Sequence, residues 1–445
     1  MKKNEKLLLL LGAAAVALSF SGCTTFETDT EALMQPPSLT EEQAELNFAL
    51  TEVIGENYRL RYPSDGTSNS AFMFYDLDGD GTDEALAFYS IEDESTRINI
   101  LKREEDKWVS VYEAAGAYGD AKSVRFAETG PGERTLIVQW EQEVSVYRFE
   151  DSRLETVYSA FCDGIEMADL SGDGYNDIIL INSSYSERPF AKILYYGENG
   201  LAITENVGIT AEYGSIVSTT VGEIYEGKTG FFIDSLVYGS SNIYLTEIIT
   251  LSDGSANRAT IANYIAYEPE EEEESMVTLV TKLGPRGNYL RNTAAFCEDV
   301  DGDGIVEMPV EFREDVASQD NEKLYYIEYM KYDPEEKDSY PVWFGFVDPE
   351  NGYRFELPKE WSGEVSMGFN FSTGEYCFIN GSNGAEVLRL RAVPLTEYQD
   401  RYEESYVLLG QSGTKAFYAC VSAQKGDVYY LEPDTLADRF SLNKN

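Results

Sequence analysis

Two periodicities divide the chain. Between about residues 70 and 335, short runs alternate apolar and polar positions and are broken by Gly, Asp, Asn and Ser, a pattern that predicts β-strands joined by tight connections. Phe72 to Tyr75, Ala85 to Tyr89, Ile178 to Ile181, Ala295 to Cys297 and Met308 to Phe312 all read as strands. Ahead of this region the period becomes helical. Leu46, Ala49, Leu50, Val53 and Ile54 share one face, Ser38 and Glu41 make a capping-box spacing, and Gly55 can close the C-terminus. Such a stripe predicts a helix packed on a domain rather than on a membrane. Near Tyr340 the text changes again. PVWFGFVDPENGYRFELPKEW holds strands ended by Pro358, TEYQDRYEES from Thr396 reads as a surface helix, SYVLLG and AFYACVSA as strands, and DTLADRF from Asp434 as a closing helix.

The first residues add a targeting signal. Lys2, Lys3 and Lys6 precede an apolar run from Leu7 to Leu18, followed by Ser19, Phe20, Ser21, Gly22 and Cys23. The run is short for a membrane anchor and suits a secretory leader. It resembles a bacterial lipobox, with Gly22 before Cys23, although Phe20 stands where that family usually carries Leu. The resemblance implies that residues 1–22 are removed and that Cys23 becomes a lipidated N-terminus. The remainder would then lie outside the cell, held to the outer face of the membrane by the lipid. Residues 23–37, polar and ended by Pro36 and Pro37, would form the tether.

Composition narrows the function classes. Hydrophobic residues make up 43% of the chain, enough for a globular core. Lys and Arg total 34 against 80 Asp and Glu, a formal charge of −46 that argues against nucleic acid or anionic lipid as a partner. There is no histidine, which removes serine or cysteine catalysis through a His base and the usual zinc site. No GxSxG, P-loop or GxGxxG fingerprint is present. Two carboxylates could still hydrolyse a glycoside, but no pair is singled out. Cys162, Cys297, Cys377 and Cys420 allow disulfides, Cys377 with Cys420 being the pair within one expected domain. Buried free thiols are the alternative.

The strongest chemical signal recurs three times: DLDGDGTDE from Asp76, DLSGDGYND from Asp169 and DVDGDGIVE from Asp299. Alternate positions can offer oxygen ligands to one centre, and the sixth is glycine each time, at Gly81, Gly174 and Gly304. An EF-hand would need Glu at the twelfth position, where Ala87, Leu180 and Val310 stand. The acid comes instead at the ninth, as Glu84, Asp177 and Glu307, followed by apolar strand residues.

In this the chain resembles the VCBS and FG-GAP repeat families, in which strand, calcium loop and strand form a corner of a β-propeller blade. The resemblance implies up to three calcium ions. The first would be held by Asp76, Asp78, Asp80 and Glu84 with the carbonyl of Thr82. Asp169, Ser171, Asp173 and Asp177 with the carbonyl of Tyr175 would hold the second, and Asp299, Asp301, Asp303 and Glu307 with that of Ile305 the third. Two further segments, FAETGPGERTLIV around Gly132 and GEIYEGKTGFFI around Gly227, echo the loops without their acids.

Successive loop glycines at 81, 132, 174, 227 and 304 are separated by 51, 42, 53 and 77 residues. A blade takes roughly 40 to 50 residues, so the last gap leaves room for another. The expected fold is therefore mainly β, with a helix over 38–57, a propeller-like domain of about five to seven blades over 58–335, and a C-terminal α+β module over 336–445. A sheet sandwich with acidic turns is the alternative. The tail weakly resembles the small modules related to the PsbP and Mog1 folds through Gly352, Tyr353, Phe355, Pro358 and Trp361. The function expected is a calcium-stabilised binding or scaffolding lipoprotein without enzymatic activity, taking a protein or glycan ligand. The alternative is an extracellular glycan-active enzyme with a carboxylate pair at the propeller mouth.

Overall fold

In the computed structural model, residues 40–65, 70–92, 95–117, 119–184, 189–209, 211–237, 243–252, 255–260, 291–312, 324–333, 338–397 and 405–443 are described. The leader, Cys23, the tether, the acidic run 268–274 and most of the helix expected from Thr396 lie outside them.

The N-terminal helix runs Glu41–Ile54. Its cap is Thr40 rather than Ser38, because Thr40 has extended backbone and Gln43 stands at the third helical position. The Gln43 N–H donates to Thr40 Oγ1 at 3.2 Å, and the Thr40 N–H donates back to Gln43 Oε1 at 3.1 Å. Gly55 closes the other end with φ +89°, its N–H on the Thr51 carbonyl at 2.9 Å. Leu46, Ala49 and Leu50 are buried, whereas Val53 turns outward.

Six antiparallel sheets of four or five strands follow, nearly in chain order. The first spans Tyr58–Arg61, Phe72–Tyr75, Glu84–Ile91, Arg97–Glu104 and Lys107–Ala115, its two short strands pairing with successive halves of Glu84–Ile91. The second covers Ser123–Gly130 to Arg153–Phe161, the third Gly164–Ala168 to Val207–Gly208, and the fourth Ala211–Tyr225 to Ser255–Thr260. The fifth joins Met308–Phe312, Tyr326–Asp333, Asp338–Asp348 and Tyr353–Glu356 to the terminal strand Phe440–Leu442. The sixth runs from Val365–Asn370 to Lys415–Val421.

Period-two alternation gives each inner strand two apolar faces, so each sheet packs on its neighbours. In the first sheet Leu86, Phe88, Ile98 and Ile100 meet Val124, Leu136 and Val138 of the second. Ile137, Val144 and Val146 of the second meet Ile165, Ile178 and Leu180 of the third. Ile179, Ile181 and Ile193 pack on Phe231, Ile233 and Ile249 of the fourth, whose Phe232 and Ile248 meet Met308, Val310 and Met330 of the fifth. Phe346, Tyr353 and Phe355 share a core with Phe378, Leu388 and Phe417 of the sixth. The remaining face of the first sheet, Ala85, Ala87 and Leu101, is covered by Leu46, Ala49 and Leu50 of the helix. The fold is mainly β and propeller-like, a succession of blades with the helix over the first.

Two expectations for the second half change. The boundary at 335/336 falls inside a hairpin, since Tyr326–Asp333 pairs with Asp338–Asp348, and the chain's last strand returns to pair with Tyr353–Phe355. Residues 336–445 thus complete a sheet begun before 335. Among the described residues the tail's helical content is short 3₁₀ turns, at Lys359–Trp361, Leu395–Glu397, Pro433–Thr435 and Ala437–Arg439. The closing segment fails to become an α-helix because Leu436 is drawn fully into the core shared by the last two sheets, and strand pairing resumes at Phe440. The 77-residue gap between Gly227 and Gly304 holds the last three strands of the fourth sheet and residues 261–290, with no extra sheet among the described residues.

Among the described residues the four cysteines, Cys162, Cys297, Cys377 and Cys420, are free thiols. Cys377 and Cys420 both pair in register with Arg389, one on each side. They therefore lie two strand spacings apart, about 9.6 Å, beyond the reach of a disulfide.

Candidate metal centres

The three acidic loops occupy the same place in alternate sheets. The first joins Phe72–Tyr75 to Glu84–Ile91 in the first sheet, the second joins Gly164–Ala168 to Asp177–Asn182 in the third, and the third leads from the isolated pair Glu298–Glu307 into Met308–Phe312 of the fifth. One hydrogen-bond scheme recurs in all of them. The first-position carboxylate accepts from the fourth- and sixth-position glycines: Asp76 from Gly79 and Gly81 at 2.8 and 3.1 Å, Asp169 from Gly172 and Gly174 at 2.7 and 2.9 Å, and Asp299 from Gly302 and Gly304 at 2.6 and 3.0 Å. Gly81, Gly174 and Gly304 have φ between +87° and +91°, which a side chain would strain. The fifth-position acids Asp80, Asp173 and Asp303 accept from the N–H of Thr82, Tyr175 and Ile305 at 2.8 to 3.0 Å. Asp78 and Asp301 likewise accept from Asp80 and Asp303.

The ninth-position acids close the loops from below. Glu84, Asp177 and Glu307 are buried, and each accepts from the second-position N–H, of Leu77, Leu170 and Val300 respectively, at 2.7 to 2.8 Å. Burial raises all three carboxyls, Asp177 to about 6 and Glu307 to about 7. The ligating oxygens of Asp76, Asp78 and Glu84, and those of Asp299, Asp301, Asp303 and Glu307, lie within 4.8 Å of one another. In the second loop Ser171 contributes a hydroxyl 3.4 Å from both Asp169 and Asp177.

Sequence reasoning missed the cations beside these loops. Lys102 contacts Asp78, Asp80 at 2.8 Å and Glu84 at 3.3 Å, and Lys331 contacts Asp301, Asp303 and Glu307 at 2.9, 2.6 and 3.2 Å. Burial opposes the charge on both ammonium groups, but the hydrogen bonds they donate to the carboxylates outweigh it and hold the pKa above the usual lysine value. Bonds to the same lysines hold Asp80 and Asp303 below the usual carboxylate range. Each lysine sits on the second strand after the loop, one register step beyond the pairs Ala85–Leu101 and Met308–Met330. The hairpins between differ in length, so no fixed spacing marks them.

The loops also dock on the neighbouring sheet. Arg134 of the second sheet reaches Asp76 at 3.4 Å, and the Asn176 N–H donates to the Glu128 carbonyl of the same sheet at 3.0 Å. In the fifth sheet the Val306 N–H donates to the Glu223 carbonyl of the fourth at 2.8 Å. The strand ends that receive the last two contacts are the echo segments, which form tight hairpin turns at Gly132 and Gly227. Entry to the third loop is fixed by a buried polar cluster in which Arg291 pairs with Asp234 at 2.5 Å and Asp234 accepts from the Cys297 N–H at 2.9 Å.

A second concavity, about 500 Å³, opens between the third and fourth sheets and is lined by Asp163, Glu166, Ser183, Ser184, Ser218 and Thr219 among others. Asp163 accepts from the Ser183 N–H and hydroxyl, and Glu166 from the Thr219 hydroxyl. Tyr195, Tyr196 and Tyr244 lie elsewhere among the strands, and Tyr185 and Tyr238 fall outside the described residues.

No family model matches the chain, and no curated protein does. Among solved structures it is similar to Chaetomium thermophilum Sqt1, at 12% identity and TM-score 0.30 over 69% of this chain and 68% of that one. It is also similar to BBS1N in complex with ARL6DN, at 12% identity and TM-score 0.24 over 84% and 99%, and to the WD40 domain of SCAP from fission yeast, at 7% and 0.28 over 82% and 74%. At such TM-scores the propeller-like description rests on the strand order above.

Proposed function

We propose that this chain is a calcium-stabilised binding or scaffolding protein of the bacterial envelope, lipid-anchored through Cys23 to the outer face of the cell membrane. One observation carries the calcium part: the same hydrogen-bond scheme is built three times, and in the first and third loops it surrounds converging carboxylate oxygens. Buried Glu84 Oε1 and Glu307 Oε1 have no neutral donor and face only the ammonium groups of Lys102 and Lys331, at 3.3 and 3.2 Å, as expected of oxygens placed for a cation. The donor set is all oxygen, on loops with more ligands than magnesium's strict octahedron uses, which favours calcium. Asp76, Asp78, Asp80 and Glu84 would hold one ion, Asp169, Ser171, Asp173 and Asp177 a second, and Asp299, Asp301, Asp303 and Glu307 a third, with the carbonyls of Thr82, Tyr175 and Ile305. A bound ion supplies the positive charge that cancels repulsion within each loop. Because each loop touches a neighbouring sheet, order in the loop becomes order at the joint between blades.

Calorimetric titration of the EDTA-treated protein with calcium tests this reading, and absence of binding would overturn it. Mass spectrometry of the mature N-terminus, looking for diacylglycerol on Cys23, tests the anchor. The binding role points to the cleft beside Ser183 and Thr219, whose hydroxyls and carboxylates match a polyhydroxylated ligand; a glycan array probes it. Release of reducing ends from a polysaccharide, lost on Asp163→Asn or Glu166→Gln, would favour the glycan-active alternative.

A further inference from the structure

The cation positions of the three loops are not equivalent. In the first and third, an ammonium group stands among the carboxylates that a divalent ion would use, 3.3 Å from Glu84 Oε1 and 3.2 Å from Glu307 Oε1. Both oxygens belong to side chains with no solvent exposure and have no neutral donor. The third sheet breaks the pattern. Its hairpin pairs Ile178 with Leu194, so the next step sets Tyr195 opposite Asp177 where the other loops have lysine. Among the described residues no Lys or Arg forms an ion pair with Asp169, Asp173 or Asp177, whereas the first loop has Lys102 and Arg134 and the third has Lys331.

We propose that Lys102 and Lys331 are tethered cations that fill the first and third loops and that a divalent ion must displace, leaving the second loop as the one whose order depends on free metal. This rests on the calcium reading above and adds a ranking to it. A lysine side chain swinging out of the third loop would leave a site where it is only 7% exposed, close to the incoming ion, so repulsion between ammonium and metal lowers affinity there. The second loop meets no such competitor. Its Asp169, Asp173 and Asp177 are not gathered as the acids of the first and third loops are, so an entering ion must draw them together against their repulsion.

The test uses the full chain, stripped with EDTA and titrated with calcium chloride, beside Lys102→Met, Lys331→Met and the double variant. The expected result is one tight site in the wild type, abolished by Asp169→Asn, with each Lys→Met variant gaining a further site at least tenfold tighter than the corresponding wild-type loop. Lys331→Arg keeps the charge and should gain none. Three equal sites in the wild type, unchanged by Lys→Met, would overturn the proposal while leaving the calcium reading intact. No binding by any variant would overturn both the calcium reading and the competition. Melting in EDTA then reads the lysines alone: Lys331→Met melting below wild type marks the ammonium as the loop's counter-ion, and equal melting removes that role too.

Discussion

The odd and even sheets solve one problem in two ways. All must turn the chain back on itself as an early strand of the sheet begins. The second and fourth do so with a hairpin whose glycine, Gly132 or Gly227, takes a positive φ, and the sixth with a short turn ending on Gly374. The first, third and fifth use acidic loops over 76–83, 169–176 and 299–306. A backbone turn is complete once its φ angles are set. An acidic loop satisfies its amides with carboxylates and thereby concentrates charge, so on the proposed reading it is complete only when a cation joins it. The alternation places a charge-dependent joint beside a charge-independent one along most of the stack.

The largest test of that difference is metal removal. A site filled at a hundred times its dissociation constant adds about 2.7 kcal/mol of stability. EDTA should therefore lower the melting temperature by several degrees, and hydrogen exchange should rise at Leu170, Gly172 and Gly174 while the amides of the Gly132 and Gly227 turns stay protected. The last two sheets share one core and the fifth contains the third loop, so a separate, unmoved transition for residues 336–445 is not expected. An unchanged calorimetric trace would erase the distinction between odd and even sheets.

Next in size are the ligands themselves. Asp76→Ala or Asp299→Ala removes an acceptor for two glycine amides as well as a cation ligand, and should cost about 2 to 4 kcal/mol in urea unfolding. Ser171→Ala loses only contacts at 3.4 Å and should cost less than about 1 kcal/mol. Equal losses would mean that the acids act as solvated turn residues.

A third test is pH. In EDTA, Asp177 and Glu307 have folded values raised by burial, to about 6 and about 7. A raised carboxyl keeps its proton better when folded, so its contribution to stability is present at low pH and is lost as pH rises through the folded value. The metal-free protein should thus melt at a lower temperature at pH 8 than at pH 5.5, and calcium should shrink the difference. A metal-free protein more stable at pH 8 would contradict the burial of these acids.

Much of this was legible in the sequence, for a physical reason. Loop spacing is local, so the acids of the first and third loops come together where the pattern puts them, whereas Asp169, Asp173 and Asp177 share the hydrogen-bond scheme without gathering as closely. Strand flanks followed from alternation, and the helix face from the spacing of Leu46, Ala49 and Leu50. The missed features depend on pairing at a distance. Lys102 and Lys331 reach the loops only because of hairpin register, and Arg134 only because the second sheet packs on the first. The C-terminal boundary failed likewise, because strand Tyr326–Asp333 takes its partner from across it.

The smallest effect isolates backbone from charge. Gly132 and Gly174 have φ of +72° and +88°, and a Cβ added at either meets nothing within 4 Å, so replacement by Ala strains only the backbone, by about 1 kcal/mol. At Gly132 the amide makes no bond to a loop acid, and the hairpin reaches the acidic loops only through Glu128 and Arg134, so the cost should differ little between calcium and EDTA. At Gly174 the amide donates to Asp169 at 2.9 Å, so the strain moves a proposed ligand. Gly174→Ala should therefore cost more in calcium than in EDTA, with weaker calcium binding to match. Identical behaviour of the two variants in both buffers would show that the acidic loop closes as the hairpin does, by its backbone alone.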